Sequence, residues 1–300
     1  MLKVLELFGG IGACSKALCK LGIDYEIVDY VEIDKFAVKS FNAIHNTNFE
    51  PQDITKWNKD IKADLIMHGS PCQDFSTNGK NEGGDKGSGT RSSLMYETIR
   101  IVKKIKPKYV VWENVKNLLS KRHIHNFENY LHELSNLGYS NYYKILNAKD
   151  YGIPQNRERV FVVSILGNEN FEFPEKQKLS TKLIDLLEKE VDEKYYLSDE
   201  QINKLKVNSD HQRMLLRNAT KKGYLEAEEG DSVDLEFPES KTKRGRIGKQ
   251  IAKTLLARDN LGVVIGSSVL LTFPKTPKSR IMIDIARTIT TRQEQGVFTE

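Results

Sequence analysis

The chain has 300 residues, 39% of them hydrophobic and 29% charged, which supports a full globular core and excludes a low-complexity or fibrous protein. Its formal net charge of +5 leans toward a polyanionic partner without requiring one. No apolar run is long enough to span a bilayer, and Met1-Leu2-Lys3-Val4-Leu5 leads into a strand pattern with no signal-peptide cleavage site. Cys14, Cys19 and Cys72 are odd in number and include no Cys-x-x-Cys pair. That argues against a disulfide scaffold and a zinc site, so no metal is expected, and it fits a reducing cytoplasm.

Lys3-Val4-Leu5-Glu6-Leu7 predicts a short strand. It runs into Phe8-Gly9-Gly10-Ile11-Gly12-Ala13 and then a helical pattern over 14–21, closed by Gly22. Strand, glycine turn and helix open a doubly wound α/β sheet, in which ligands sit at the carboxyl ends of the strands. The glycines let a ligand approach the backbone; a tight turn without a ligand is the alternative. Tyr25 to Val31 predicts a second strand ending in Glu32-Ile33-Asp34. An acid roughly 20 residues past the turn is where nucleoside binders hold ribose hydroxyls, while Asp34 is placed to cap a helix from Lys35. A short third strand is expected before Gln52-Asp53-Ile54, with Asp53 meeting an adenine amine or capping a turn. No Lys or Arg sits in the glycine turn, so a nucleoside is favoured over a phosphate.

Ala63 to His68 predicts a buried strand ending in Gly69-Ser70-Pro71-Cys72-Gln73-Asp74-Phe75-Ser76, followed by a polar, glycine-rich stretch from Thr77 to Ser93. Pro71 stiffens the approach to the thiol, a way to mount a nucleophile; a buried structural cysteine is the alternative. A helix over Leu94 to Lys104 precedes the strand Lys108 to Trp112, which stops at Glu113-Asn114-Val115. A carboxyl ending a Val-Val-Trp run is half-desolvated, which suits a proton donor; a helix N-cap is the alternative. Arg157 and Arg159 alternate ahead of another apolar strand, so two guanidiniums would face one side as a phosphate or carboxylate receptor, or form an edge ion pair.

Four of these stretches, in this order, resemble the C5-cytosine DNA methyltransferase family. Phe8-Gly9-Gly10-Ile11-Gly12 is similar to its cofactor turn and Gly69-Ser70-Pro71-Cys72-Gln73 to its nucleophile motif. Glu113-Asn114-Val115 is similar to its acid motif, and Gln155-Asn156-Arg157-Glu158-Arg159 to its Gln-x-Arg-x-Arg motif. The likeness runs from Leu2 to about Gly167. It implies S-adenosylmethionine as methyl donor, a cytosine flipped from duplex DNA as acceptor, and a restriction–modification or phage setting. It further implies that Cys72 adds to C6, that Glu113 donates a proton to N3, and that Asn114 shapes the site. Arg159 would contact the base edge and Arg157 a nearby loop or phosphate. Phe8, Gly10, Ile11, Gly12, Glu32, Ile33, Asp53, Ile54 and Pro71 would surround the cofactor, with Leu94 joining on loop closure. Gln73 and Ser76 would meet DNA.

A linker and a short helix over Thr181 to Lys189 are expected next. The domains then read as 1–190 for catalysis and cofactor and 191–300 for target recognition, the second mostly β and irregular. Lys241, Lys243, Arg244 and Arg246 form the densest basic run and are expected to meet phosphates, a solvated loop being the alternative. Ile251 to Arg258 is echoed by Ile285 to Arg292, which reads as two similar strand-and-turn units. The family's two closing motifs are missing, Thr288 to Glu294 being a loose likeness of one, so the recognition region is expected to be incomplete. A second polypeptide supplying the rest, a shortened gene product, and a non-catalytic DNA- or cofactor-binding descendant each fit that expectation. A tRNA cytosine methyltransferase of the same fold is a further alternative.

Overall fold

A computed structural model describes residues 1–75, 83–205, 214–237, 240, 242–254, 261–266 and 268–271. The chain divides into two compact units. The first holds Met1–Leu146 and Glu158–Glu175; the second holds Asn147–Arg157 and the described part of Lys176–Glu294. Residues 147–157 and 176–190, assigned from sequence to the first domain, therefore pack with the second unit.

The first unit is an α/β layer structure. In chain order it contains β1 (Leu2–Leu7), α1 (Ala13–Lys20), β2 (Tyr25–Val31), α2 (Lys35–His45), β3 (Leu65–His68), α3 (Met95–Ile105), β4 (Tyr109–Val115), α4 (Ile124–Asn136) and β5 (Tyr139–Asn147). The two-residue β6 (Gln155–Asn156) lies in the second unit, and β7 (Glu158–Leu166) returns to the first. The six-stranded sheet runs β2-β1-β3-β4-β7-β5. Its first four strands are mutually parallel and β7 pairs antiparallel with β4. This is the expected wound α/β sheet, made mixed by the reversed strand.

Alternation along the strands separates two faces. Leu5, Leu7, Ile66, Val110, Trp112, Val160 and Val162 join Ile99 and Val102 of α3 and Phe127, Tyr130 and Leu134 of α4 in the main core. Val4 and Leu65 face the other way, against Leu18 of α1, and Tyr30 packs with Val38 and Phe41 of α2. Strands covered on both faces need apolar residues at both parities, which is why these runs are nearly continuous in sequence.

Two expected elements take a different form. The described chain before Gln52 is not a strand. Gln52 instead donates its N–H to the Glu32 carbonyl at 2.7 Å and its side-chain amide to the Tyr30 carbonyl at 2.7 Å, bracing the end of β2 without a ladder. Thr181 to Lys189 yields one 3₁₀ turn, Leu183–Leu186, after which Leu187 is extended.

In the second unit, α5 (Asp199–Leu205) is followed by the antiparallel pair β8 (Met214–Arg217) and β9 (Tyr224–Ala227). β10 (Ser232–Asp234), β11 (Ile247–Gly248), β13 (Leu261–Ile265) and β14 (Ser268–Leu271) form a four-stranded sheet in the order β11-β10-β13-β14. β12 (Ala252–Lys253) pairs parallel with β6. Leu197, Ile202, Met214, Leu216, Val233, Val264 and Val269 make its core. The internal echo and the loose motif likeness at 288–294 lie outside the described residues. No described helix is long and apolar enough to cross a membrane.

Candidate active site

The site is built at the carboxyl ends of β1, β2, β3 and β4. After β1 the chain turns sharply: Phe8 takes φ 51°, Gly10 φ 54° and Gly12 φ 83°. At Gly9 a Cβ would stand 2.6 Å from the Tyr30 ring and 2.9 Å from Glu6, so only glycine fits. Gly12, at the start of α1, combines a left-handed backbone with close packing on Phe41 and His45. Ile11 is partly exposed between these glycines. Glu32, at the end of β2, accepts from Gly10 N at 3.2 Å and from the backbone N–H groups of Ile33 and Asp34, each at 2.9 Å. Burial pushes the Glu32 carboxyl up, against the pull of those three donors. Asp34 caps α2 through Phe36 N at 2.8 Å and Ala37 N at 3.2 Å, leaving Glu32 as the acid facing the glycine turn.

Ile33 is exposed, whereas Ile54 is buried in the main core and its carbonyl accepts from Arg100 at 2.8 Å. Asp53 forms a local turn: its Oδ1 accepts from Thr55 N at 2.9 Å and Thr55 Oγ1 at 2.8 Å, which holds its carboxyl below the usual range. Leu94 packs partly buried on the core.

β3 delivers Gly69, Ser70, Pro71 and Cys72 beyond its last residue. Cys72 is partly exposed and in no disulfide. Cys14, in α1, differs chemically: burial and the carboxylates of Glu6 and Glu113 push its thiol well up, away from the nucleophilic thiolate. Asp74 and Ser92 clamp the chain on either side of residues 76–82. The Asp74 carboxylate accepts from Ser92 N at 2.9 Å and Ser92 Oγ accepts from Asp74 N at 3.1 Å. Gly83 N donates to the Asp74 carbonyl at 2.9 Å. The Gln73 side chain accepts from Arg91 at 3.0 Å, and Ser76 lies outside the described residues.

Glu113 and Asn114 are the last residues but two and but one of β4, not a helix cap. They face opposite sides of the sheet. Arg159 Nε of β7 lies 3.0 Å from Glu113 Oε1, and a Cβ at Gly69 would stand 3.8 Å from Glu113 Oε2, so the carboxyl sits beside the nucleophile turn. Asn114 is buried and donates to the Ser70 carbonyl at 3.2 Å. Arg157 is not on this strand: β6 ends at Asn156, β7 begins at Glu158, and Arg157 belongs to the second unit. The two arginines therefore do not share one extended segment.

Sequence reasoning overlooked Glu6. It interrupts an apolar strand, receives the Ser15 hydroxyl, and is pushed by burial up to about 7. A lone acid in Lys3-Val4-Leu5-Glu6-Leu7 was the available signal.

The basic run divides. Arg246 is fully buried, its guanidinium donating to the carbonyls of Arg217 and Asp234 at 2.8 Å, Phe237 at 3.0 Å and Glu236 at 3.3 Å. Lys243 is paired with Asp234 at 3.1 Å and Glu236 at 2.9 Å. Neither matches the expected phosphate contact; both hold the second unit together. Arg244 is exposed, and Lys241 lies outside the described residues.

The sequence pattern of the C-5 cytosine-specific DNA methylase family matches residues 2–293. The chain belongs to that family. The type II methyltransferase M2.ScrFI of Lactococcus lactis subsp. cremoris is 38% identical, covering 75% of this chain and 78% of its own. The orphan methyltransferase M.SPRI of Bacillus phage SPR is 35% identical over 68% of this chain, and the type II methyltransferase M.SsoII of Shigella sonnei 38% over 72%. The chain spans 54% and 56% of those two relatives. Among solved structures, Entamoeba histolytica methyltransferase EhMeth superposes with a TM-score of 0.58 at 15% identity, over 98% of this chain and 90% of that one. A Spodoptera frugiperda DNMT2 mutant gives 0.54 at 23%, over 69% and 66%. These two likenesses concern the fold alone. Since one chain carries the family match from residue 2 to residue 293, the expected second polypeptide gains no support.

Proposed function

We propose that this chain transfers a methyl group from S-adenosylmethionine to C5 of a cytosine in duplex DNA. The observation that carries the reading is the Glu113–Arg159 pair, 3.0 Å apart, beside the turn that bears Cys72. The residues also fit the methyl donor. Glu32 presents a carboxylate to the glycine turn where a ribose would lie, and Phe8 and Ile11 follow the end of β1 as Pro71 follows the end of β3.

C5 of cytosine is a weak nucleophile. Addition of the Cys72 thiolate at C6 pushes electron density toward N3, and Glu113 in its protonated form donates its proton there. Arg159 fixes the direction of the Glu113 carboxyl. S-adenosylmethionine, when bound, supplies the electrophilic methyl group that C5 takes up. Loss of the C5 proton to a base then restores the C5–C6 double bond as the C6–S bond breaks, and N3 returns its proton to Glu113. Reaching the base inside a duplex requires its extrusion, at about a few kcal/mol of stacking.

The test is methyl transfer from labelled S-adenosylmethionine to random-sequence duplex DNA by the 300-residue chain alone. The reading expects label at cytosine C5 and a covalent adduct with duplex containing 5-fluorocytosine. Label on tRNA but not on duplex DNA would transfer the assignment to RNA. Binding of donor and duplex with no label on either would make the chain a non-catalytic descendant.

A further inference from the structure

We infer that Ser70 is a positioning residue for the Cys72 nucleophile, acting as the acceptor through which β4 holds the nucleophile turn. The inference rests on the methyl-transfer reading.

Ser70 is 3% exposed and separated from Cys72 only by Pro71. Its hydroxyl oxygen accepts from Trp112 Nε1 at 3.0 Å and from Asn114 Nδ2 at 3.3 Å, and Asn114 Nδ2 also reaches its carbonyl at 3.2 Å. Trp112 and Asn114 are two apart on β4 and so share a face, opposite the one carrying Glu113. Both donors are immobilised. The Trp112 ring lies 4.2 Å from Tyr130, 6.0 Å from Phe127 and stacks on His68 at 5.7 Å with planes 6° apart. His68 in turn contacts the Tyr130 hydroxyl at 2.8 Å. The far end of the Asn114 amide is occupied, Oδ1 accepting from Val115 N at 2.8 Å.

The chain of constraint is thus short and stiff. A packed indole and a doubly bonded amide fix the Ser70 oxygens, and Pro71 fixes its own φ, so little freedom remains before Cys72. Glu113 sits on the next residue between the same two donors. One strand therefore carries the acid on one face and, on the other, the two donors that hold Ser70, so the acid and the turn bearing the thiol are both tied to β4. A purely structural serine would satisfy two buried donors and have no further effect on the reaction.

Ser70→Ala and Ser70→Thr are compared with wild type in single-turnover methyl transfer and in the rate of adduct formation on 5-fluorocytosine duplex. Donor and DNA affinities are measured by calorimetry. The expected result for Ser70→Ala is a loss of about 10–100-fold in both rates with both affinities within about twofold of wild type. Ser70→Thr, which keeps the hydroxyl, should recover most of the loss. Trp112→Phe keeps the packing and removes one donor, and should slow adduct formation by a smaller factor; it carries the test if Ser70→Ala does not fold. Wild-type adduct rates in Ser70→Ala, or in Trp112→Phe where that variant carries the test, overturn the inference. A parallel fall of affinity and rate that Thr does not rescue does so too. Absence of any methyl transfer by wild type is a different result: it defeats the parent reading before Ser70 is examined.

Discussion

In the first unit Ser70, Glu113 and Asn114 stand just beyond or at the carboxyl ends of two parallel strands, and their polar atoms meet across those ends. In the second unit the densest run of positive charge is divided, with Arg246 gathering four backbone carbonyls and Lys243 two carboxylates while Arg244 stays exposed. On the proposed methyl-transfer reading, strand-end position is a better guide to chemistry than charge density. A cation in a loop-rich unit is drawn to the carbonyls that a small core leaves unpaired.

The sharpest way to break the comparison is Cys72→Ala. It should cut methyl transfer by at least about 1,000-fold while calorimetry finds donor binding near wild type. Retained transfer would mean that the strand-end thiol is not the nucleophile. Glu113→Gln keeps the shape and removes the transferable proton, and a loss of about 100–10,000-fold in the single-turnover rate is expected.

In the second unit the expectation inverts. Arg246→Ala strips the donors from four partly buried carbonyls and should cost about 3–5 kcal/mol in denaturant unfolding. If it folds like wild type and loses DNA affinity instead, the inward reading of the basic run fails. Glu6→Gln probes an acid that burial raises to about 7 from 4.5. A raised carboxyl binds its proton more tightly in the folded state, so wild-type stability falls as pH rises from about 4.5 to 7 and levels off above. The glutamine variant should lack that loss and gain about 3 kcal/mol relative to wild type by pH 8, readable as a crossing of two melting-temperature curves. The smallest effect belongs to Arg244→Ala, which should leave the melting temperature unchanged and reduce the salt slope of DNA binding by about 1.

Much of the first unit was legible because its signals are local. β2 was bounded correctly at Tyr25 and Val31, and the acid after it and the glycine turn before α1 fell where a wound sheet puts them. Asp34 was separable from Glu32 because capping is decided by the next three residues. Ser70 and Trp112 were not legible as partners. Their meeting depends on the register that sets His68 opposite Trp112, which no local pattern encodes. The strand expected before Gln52 does not form; the Gln52 hydrogen bonds run to the end of β2 and make no ladder. Nothing within Lys241 to Lys249 distinguishes Arg246, whose carbonyl partners come from residues 217 and 234–237.

The reversed direction of β7 bears on error tolerance. An antiparallel strand starts where its parallel neighbours stop, so Arg159, at its beginning, lies across from Val115 and diagonal to Glu113. A parallel strand in that slot would bring Ile165 and Leu166 there. The ladder also acts as a proofreader. Val160 and Val162 are buried in the core on the face opposite Arg159, so a slip of one residue would expose two valines and sink a guanidinium among α3 and α4. Two aliphatic side chains that touch nothing reactive thereby set where the charge beside Glu113 stands. Conservative trimming of either one is an indirect route to a misplaced arginine.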